Sequence, residues 1–217
     1  MFNESMETQV IGTLKIFEKE TGEILVQKRN AIHPGNMAYV IASALAGSAT
    51  SVNSDGAAPY INWMAFGNGG SSPTTTVAYR SPRVFSVYDQ LPITSSNSTL
   101  YAKTYQQKIT DVEVYYPGQE MDNEEVIPNN TSKINFRITV DHDKFAEMQD
   151  STIPESDNTE NKEFTIDEIG LLSGVTNGDE YLEEDKTLMM THVTFHPVLL
   201  SANRTIVIDY TITIQIN

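Results

Sequence analysis

The sequence predicts an all-β fold, an antiparallel β-sandwich with one short α-helix in its N-terminal half and long polar loops. Three observations carry that expectation. Apolar and polar residues alternate over many short segments, as half-buried strands require. A single stretch, beginning at Pro34, repeats its apolar residues with a helical period. Segments rich in Asn, Asp, Glu and Pro, with little to pack, separate the strand-like runs. At 217 residues the chain suits one domain, 1–217, with an N-terminal hairpin (1–30), a helix (34–47) and a main sandwich (58–217). A chain of this length hides roughly 70% of its unfolded surface on folding.

The hairpin comes first. Val10, Gly12, Leu14 and Ile16 share one face, Lys19-Glu20-Thr21-Gly22 forms the turn, and Ile24-Leu25-Val26 returns. In the helix, Pro34 sits near the start, where a missing N–H costs nothing. Met37, Val40, Ile41, Ala44 and Leu45 then form a single apolar stripe, and Gly47 ends the helix. With one face to bury, it is expected to lie across a sheet or close one end of a barrel. Residues 48–57 are small and polar, a loop. The run Ile61-Asn62-Trp63-Met64-Ala65-Phe66 is a strand, ended sharply by Gly67-Asn68-Gly69-Gly70-Ser71-Ser72-Pro73. Further strands are expected at 84–87, 100–108, 111–116, 133–140, 164–172 and 188–198.

The last strand has the clearest pattern. Ile206, Ile208, Tyr210, Ile212, Ile214 and Ile216 share one face, while Thr205, Asp209, Thr211, Thr213 and Gln215 take the other with Val207. A central position in a sheet is the expectation, with pairing to a neighbouring chain as the alternative. Three polar segments, 117–132, 150–162 and 176–185, are expected to be loops that make contacts.

The chain carries 14 basic and 29 acidic residues, a net charge of −15. That balance argues against binding nucleic acid or an anionic membrane surface, both of which need clustered Lys and Arg. It favours solubility. Without cysteine there is neither a disulfide framework nor a thiolate metal site. The first residues, Met1-Phe2-Asn3-Glu4-Ser5, lack a basic and an apolar region, so no secretory signal is expected.

No catalytic, cofactor-binding or metal-binding residue is assigned. There is no Gly-x-Ser-x-Gly elbow. Gly67-Asn68-Gly69-Gly70 follows a strand but precedes no helix and no Gly-Lys-Ser/Thr, so it reads as a tight turn needing positive φ. His192 and His196 stand four apart on a strand, sharing a face about 13 Å apart, too far for one ion. Asp141-His142-Asp143, and Asp179-Glu180 with Glu183-Glu184-Asp185, read as solvated charge and match no EF-hand loop. Glu163, Asp167 and Glu168 could supply a hydrolase acid pair only if they faced one another across a cleft. Trp63, inside an apolar run, is expected in the core. Tyr60, Tyr79, Tyr101, Tyr105, Tyr115 and Tyr116 could form sugar platforms if exposed together. Arg204 is expected at the turn into the last strand, as an ion-pair donor to Glu168.

Three blocks, in this order, carry a resemblance. They are the strand and glycine turn from Ile61 to Pro73, then Asp167-Glu168-Ile169-Gly170-Leu171-Leu172, then Thr191-His192-Val193-Thr194-Phe195-His196-Pro197-Val198 with Ala202-Asn203-Arg204 and the final strand. Together with Asn30-Ala31-Ile32 before the helix, they resemble a module of tailed-bacteriophage tail-collar fibre, neck and baseplate-associated proteins. The resemblance spans most of the chain. It implies a β-rich virion building block, assembled in the host cytoplasm, that forms a homo-oligomer and contacts other virion proteins without catalysis. Such fibres usually continue into a shaft or receptor-binding tip. This chain stops at Asn217, so a compact accessory piece is expected. The alternatives are a capsid-surface decoration protein, a carbohydrate-binding adhesin module and, last, a hydrolase.

Overall fold

The computed structural model describes residues 6–46, 60–72, 78–83, 99–121, 125–141, 164–177, 181–200 and 204–217. In chain order the elements are β1 (Thr8–Glu18), β2 (Ile24–Arg29), β3 (Ala31–Ile32), α1 (Pro34–Ala46), β4 (Trp63–Gly67), β5 (Ser71–Ser72) and β6 (Ala78–Tyr79). There follow β7 (Lys103–Lys108), β8 (Asp111–Tyr115), β9 (Thr131–Val140), β10 (Phe164–Asn177), β11 (Tyr181–Met189), β12 (Thr191–Leu200) and β13 (Ile206–Ile216). The fold is an antiparallel β-sandwich, as the alternating segments predict. One sheet has the order β2-β1-β13-β9-β8. The other runs β3-β12-β10-β4-β7, with β11 added beside β10, and β5 and β6 form a small separate pair.

The final strand is central. β13 pairs with β1 from Thr8↔Ile216 to Glu18↔Ile206, and with β9 on its other side. Both of its edges are occupied, so it offers no free edge to a neighbour. Its inward residues Ile208, Tyr210 and Ile212 pack with Leu14, Ile16, Phe136 and Ile138 against Met64, Phe66, Ile169, Leu171, Val193 and Phe195 of the second sheet. Burying side chains of this size contributes about 1.5–3 kcal/mol each. Gly22, at φ 72, makes the expected turn between β1 and β2.

Three expectations are corrected. The polar run 176–185 is not simply a loop. Thr176 pairs with Leu182 and Asn177 with Tyr181, because the backbone ladder with β10 outweighs side-chain polarity. The run 188–198 lies antiparallel along β10 as expected (Leu172↔Met189, Ile169↔Val193), but it is interrupted for one residue at Met190, whose N–H donates to the Leu171 carbonyl (2.8 Å), and so falls in two strands, β11 and β12. The helix buries Met37 and half-buries Val40 and Ile41, but Ala44 and Leu45 are exposed. Contacts from its first turn, such as Asn36 Nδ2 to the Met189 carbonyl (2.8 Å), hold that end to the second sheet. The expected loops 48–57 and 150–162, and the strand 84–87, lie outside the described residues, as does Gly47.

The second sheet is covered on both faces. Every residue of β4 is buried. Trp63, Ala65, Leu100, Leu172 and Met189 form a second apolar cluster on the side away from the first sheet. Trp63 is core, as expected. The segments 69–71, 80–83 and 99–102 are held against that outward face.

Candidate functional site

The strongest concentration of buried polar groups is on this outward face. Glu168 of β10, His192 and Thr194 of β12, and neighbouring Asp167 are all buried. Glu168 Oε1 accepts the N–H groups of Gly69 (3.1 Å) and Ala102 (2.8 Å). Its Oε2 accepts the Tyr101 N–H (2.9 Å) and the His192 Nε2–H (2.9 Å). His192 Nδ1 in turn accepts the Arg83 N–H (2.7 Å), which fixes the ring proton on Nε2. Asp167 Oδ1 accepts the Gly70 N–H (2.7 Å), and Oδ2 accepts from Ser71 N (2.8 Å) and Ser71 Oγ (2.5 Å). Thr194 Oγ1 donates to the Arg80 carbonyl (2.9 Å). Burial alone would raise the Glu168 carboxyl, but bonds from His192, Ala102 and Tyr101 bring it below its ordinary value.

Close approach explains the glycine turn, and positive φ does not. Among the described glycines only Gly22 and Gly118 have positive φ. A Cβ on Gly67 would lie 2.4 Å from the Ala102 carbonyl oxygen, and one on Gly70 would lie 2.4 Å from that of Asp167. The expected tight turn is thus a backbone segment drawn onto two carboxylates, with no room for side chains.

This arrangement can hold loops. It is closed to a substrate: Glu168 and His192 have no exposed surface, and Glu168 accepts two bonds at each oxygen. A general acid or base must reach the proton it transfers. Asp167 and Glu168 therefore do not face one another across a cleft, and Glu163 lies outside the described residues.

The other singled-out residues are dispersed. His196 is exposed and meets Tyr79 Oη (3.2 Å), whereas His192 is buried against Glu168, so the two rings do not converge on one ion. Beyond His196 the ladder is irregular: Ile166 pairs with Val198 but Glu168 with Thr194, which leaves extra residues of β12 around Pro197. Arg204 pairs with Glu18 (2.9 Å), not Glu168. It opens β13 beside the end of β1, whereas Glu168 is sealed in the other sheet. Tyr101 is stacked by Arg83 and Arg80, at 4.2 and 4.9 Å from its ring centre, and so is no free sugar platform. Tyr60, Tyr79 and Tyr116 are exposed. His142, Asp143, Asp179 and Glu180 lie outside the described residues. Among the described residues, no three His, Asp or Glu gather as metal ligands, and no helix is long and apolar enough to cross a membrane.

Two features escaped sequence reasoning. A polar relay crosses the core: Asn30 Nδ2 donates to Tyr210 Oη, which donates to Thr191 Oγ1 (2.6 Å), which also accepts the Leu171 N–H (3.1 Å). Burial raises the Tyr210 phenol above its ordinary value, against the opposing effect of Thr191 and Asn30. The tyrosine inside an isoleucine stripe was its only signal. The second feature is a polar groove of about 420 Å³ on the outer face of the first sheet. At its floor Arg137 holds Asp209 with two bonds (2.6 and 3.0 Å). No known protein family, curated protein or solved structure significantly matches the chain.

Proposed function

We propose that this protein is a non-enzymatic structural component of a tailed-bacteriophage particle, an oligomeric accessory piece of the tail, neck or baseplate. One observation carries the reading: the three sequence blocks that resemble such proteins occur in the same order over most of the chain. Their spatial relation supports it. The glycine turn, the Asp167-Glu168 pair and His192 each come from a different block; Gly69 and His192 meet at the Glu168 carboxylate, and Gly70 is held by Asp167 beside it. The blocks thus share a mechanical task, fastening loops to a rigid sheet, which suits a building block. The acidic surface suits docking onto basic partner surfaces, with salt-sensitive association.

The test is the number of copies of this chain per purified virus particle, by quantitative mass spectrometry against the major capsid protein. A small symmetric number, about three to eighteen, is the expected result. Hundreds of copies would move the protein to the capsid surface as a decoration protein, and absence from particles would remove the virion reading.

A further inference from the structure

Helix α1 has no charged side chain among its 13 residues, in a chain of net charge −15. One face serves the domain: Asn36 and Met37 are buried and Val40 is half-buried. The other face is apolar too. Pro34, Ala38, Ala42 and Leu45 are exposed, with Ile41 half-buried among them, and together they form one helical stripe. Leu45 is 84% exposed. A helix that is apolar on both sides belongs between two layers, and the described residues supply one. Beside the stripe opens an apolar groove of about 430 Å³, framed by Val10, Ile32, Pro34, Met37, Ala38 and Ile41.

We propose that this face is the contact between two copies of the chain, packed helix against helix about a two-fold axis. Two features select a second copy. The stripe is self-complementary, because an axis passing between Ile41 and Ala42 sets Leu45 of each helix against Ala38 of the other, at the groove. A large side chain then meets a small one twice. The patch is also an uncharged part of an acidic molecule. Copies of this chain repel one another over most approaches, and two uncharged helices bring no like charges together. The inference rests on the building-block reading and extends it by naming the surface through which copies meet.

The experiment is sedimentation equilibrium of the full chain from about 1 to about 100 µM, where mass action sets the population of any assembly. Wild type is expected as a dimer or a larger even-numbered assembly. Leu45→Glu, with unchanged circular dichroism, weakens association by about 100-fold or more, because two leucines leave the interface at once. In the Ala38→Lys, Leu45→Glu double variant, opposite charges face each other across the axis and association returns. A wild-type chain that remains monomeric overturns the proposal, as does an assembly indifferent to Leu45→Glu. Failure of the double variant to reassociate overturns the two-fold register. If Leu45→Glu does not fold, Ala42→Glu reads the same face with the same outcomes. A Leu45-dependent dimer missing from virus particles removes the virion reading alone. A monomeric chain found in particles removes the helix interface alone.

Discussion

Replacing Glu168 by Gln isolates the charge of the buried carboxylate at almost constant volume. Four donors converge on it, two at each oxygen. A glutamine has one carbonyl oxygen and one NH₂ group. Whichever way it turns, one pair of donors meets an NH₂ group in place of an acceptor. Either Gly69 and Ala102 or Tyr101 and His192 lose their partner. Two charge-assisted bonds at about 1.5–3 kcal/mol each give an expected loss of about 3–6 kcal/mol. That is a large share of the roughly 5–15 kcal/mol that stabilises a typical domain. It corresponds to a fall in Tm of about 6–24 °C for a chain of this size. Urea denaturation read by tryptophan fluorescence is suitable, since Trp63 lies in the cluster on the same side of the sheet. The pH dependence supplies a second reading. The folded carboxyl lies below its unfolded value of 4.5, so its contribution is complete above that pH and is lost as pH falls through the folded value. Wild type and Glu168→Gln should therefore converge in acid. A loss under about 1 kcal/mol at neutral pH, or curves that stay parallel into acid, would refute the claim that this charge fastens the outer loops.

Other changes probe other parts of the molecule. Tyr210→Phe removes the link between Asn30 and Thr191 and should cost about 1–3 kcal/mol in chemical denaturation, whereas a neutral result would show that the relay is dispensable. Gly70→Ala drives a Cβ into the Asp167 carbonyl oxygen and should cost about 2 kcal/mol or more. Gly22→Ala meets no atom and is penalised only for its left-handed backbone, about 1–2 kcal/mol. Reversal of that order in thermal melts would contradict the close-approach argument. His33 caps the helix, since its Nδ1 accepts the Asn36 N–H (3.1 Å), and burial lowers its pKa below 6.5. The unfolded chain then takes up a proton before the folded one does, so stability declines as pH falls below about 6.5. His33→Asn keeps a cap without a titrating group and should flatten the stability curve between about pH 6.5 and 5. An unchanged slope would show that His33 is not its source.

The alternation of Ile206 through Ile216, the period of the helix and the Gly22 turn are local properties, and the sequence alone determined them. Each depends only on which face of a short segment is apolar. The same patterns are silent on what covers a face. β1 and β13 lie at opposite ends of the chain, yet Thr8 pairs with Ile216. The second sheet is buried on its outward side because segments around 69–71, 80–83 and 99–102 fold over it. Asp167 and Glu168, read singly, look like a possible acid pair. Only the tertiary structure brings donors from Gly69, Tyr101, Ala102 and His192 to Glu168, and in doing so turns it into a closed fastening. The partner of Arg204 was decided in the same way. A carboxylate's role depends on the groups that reach it, and those groups are chosen by the path of the whole chain.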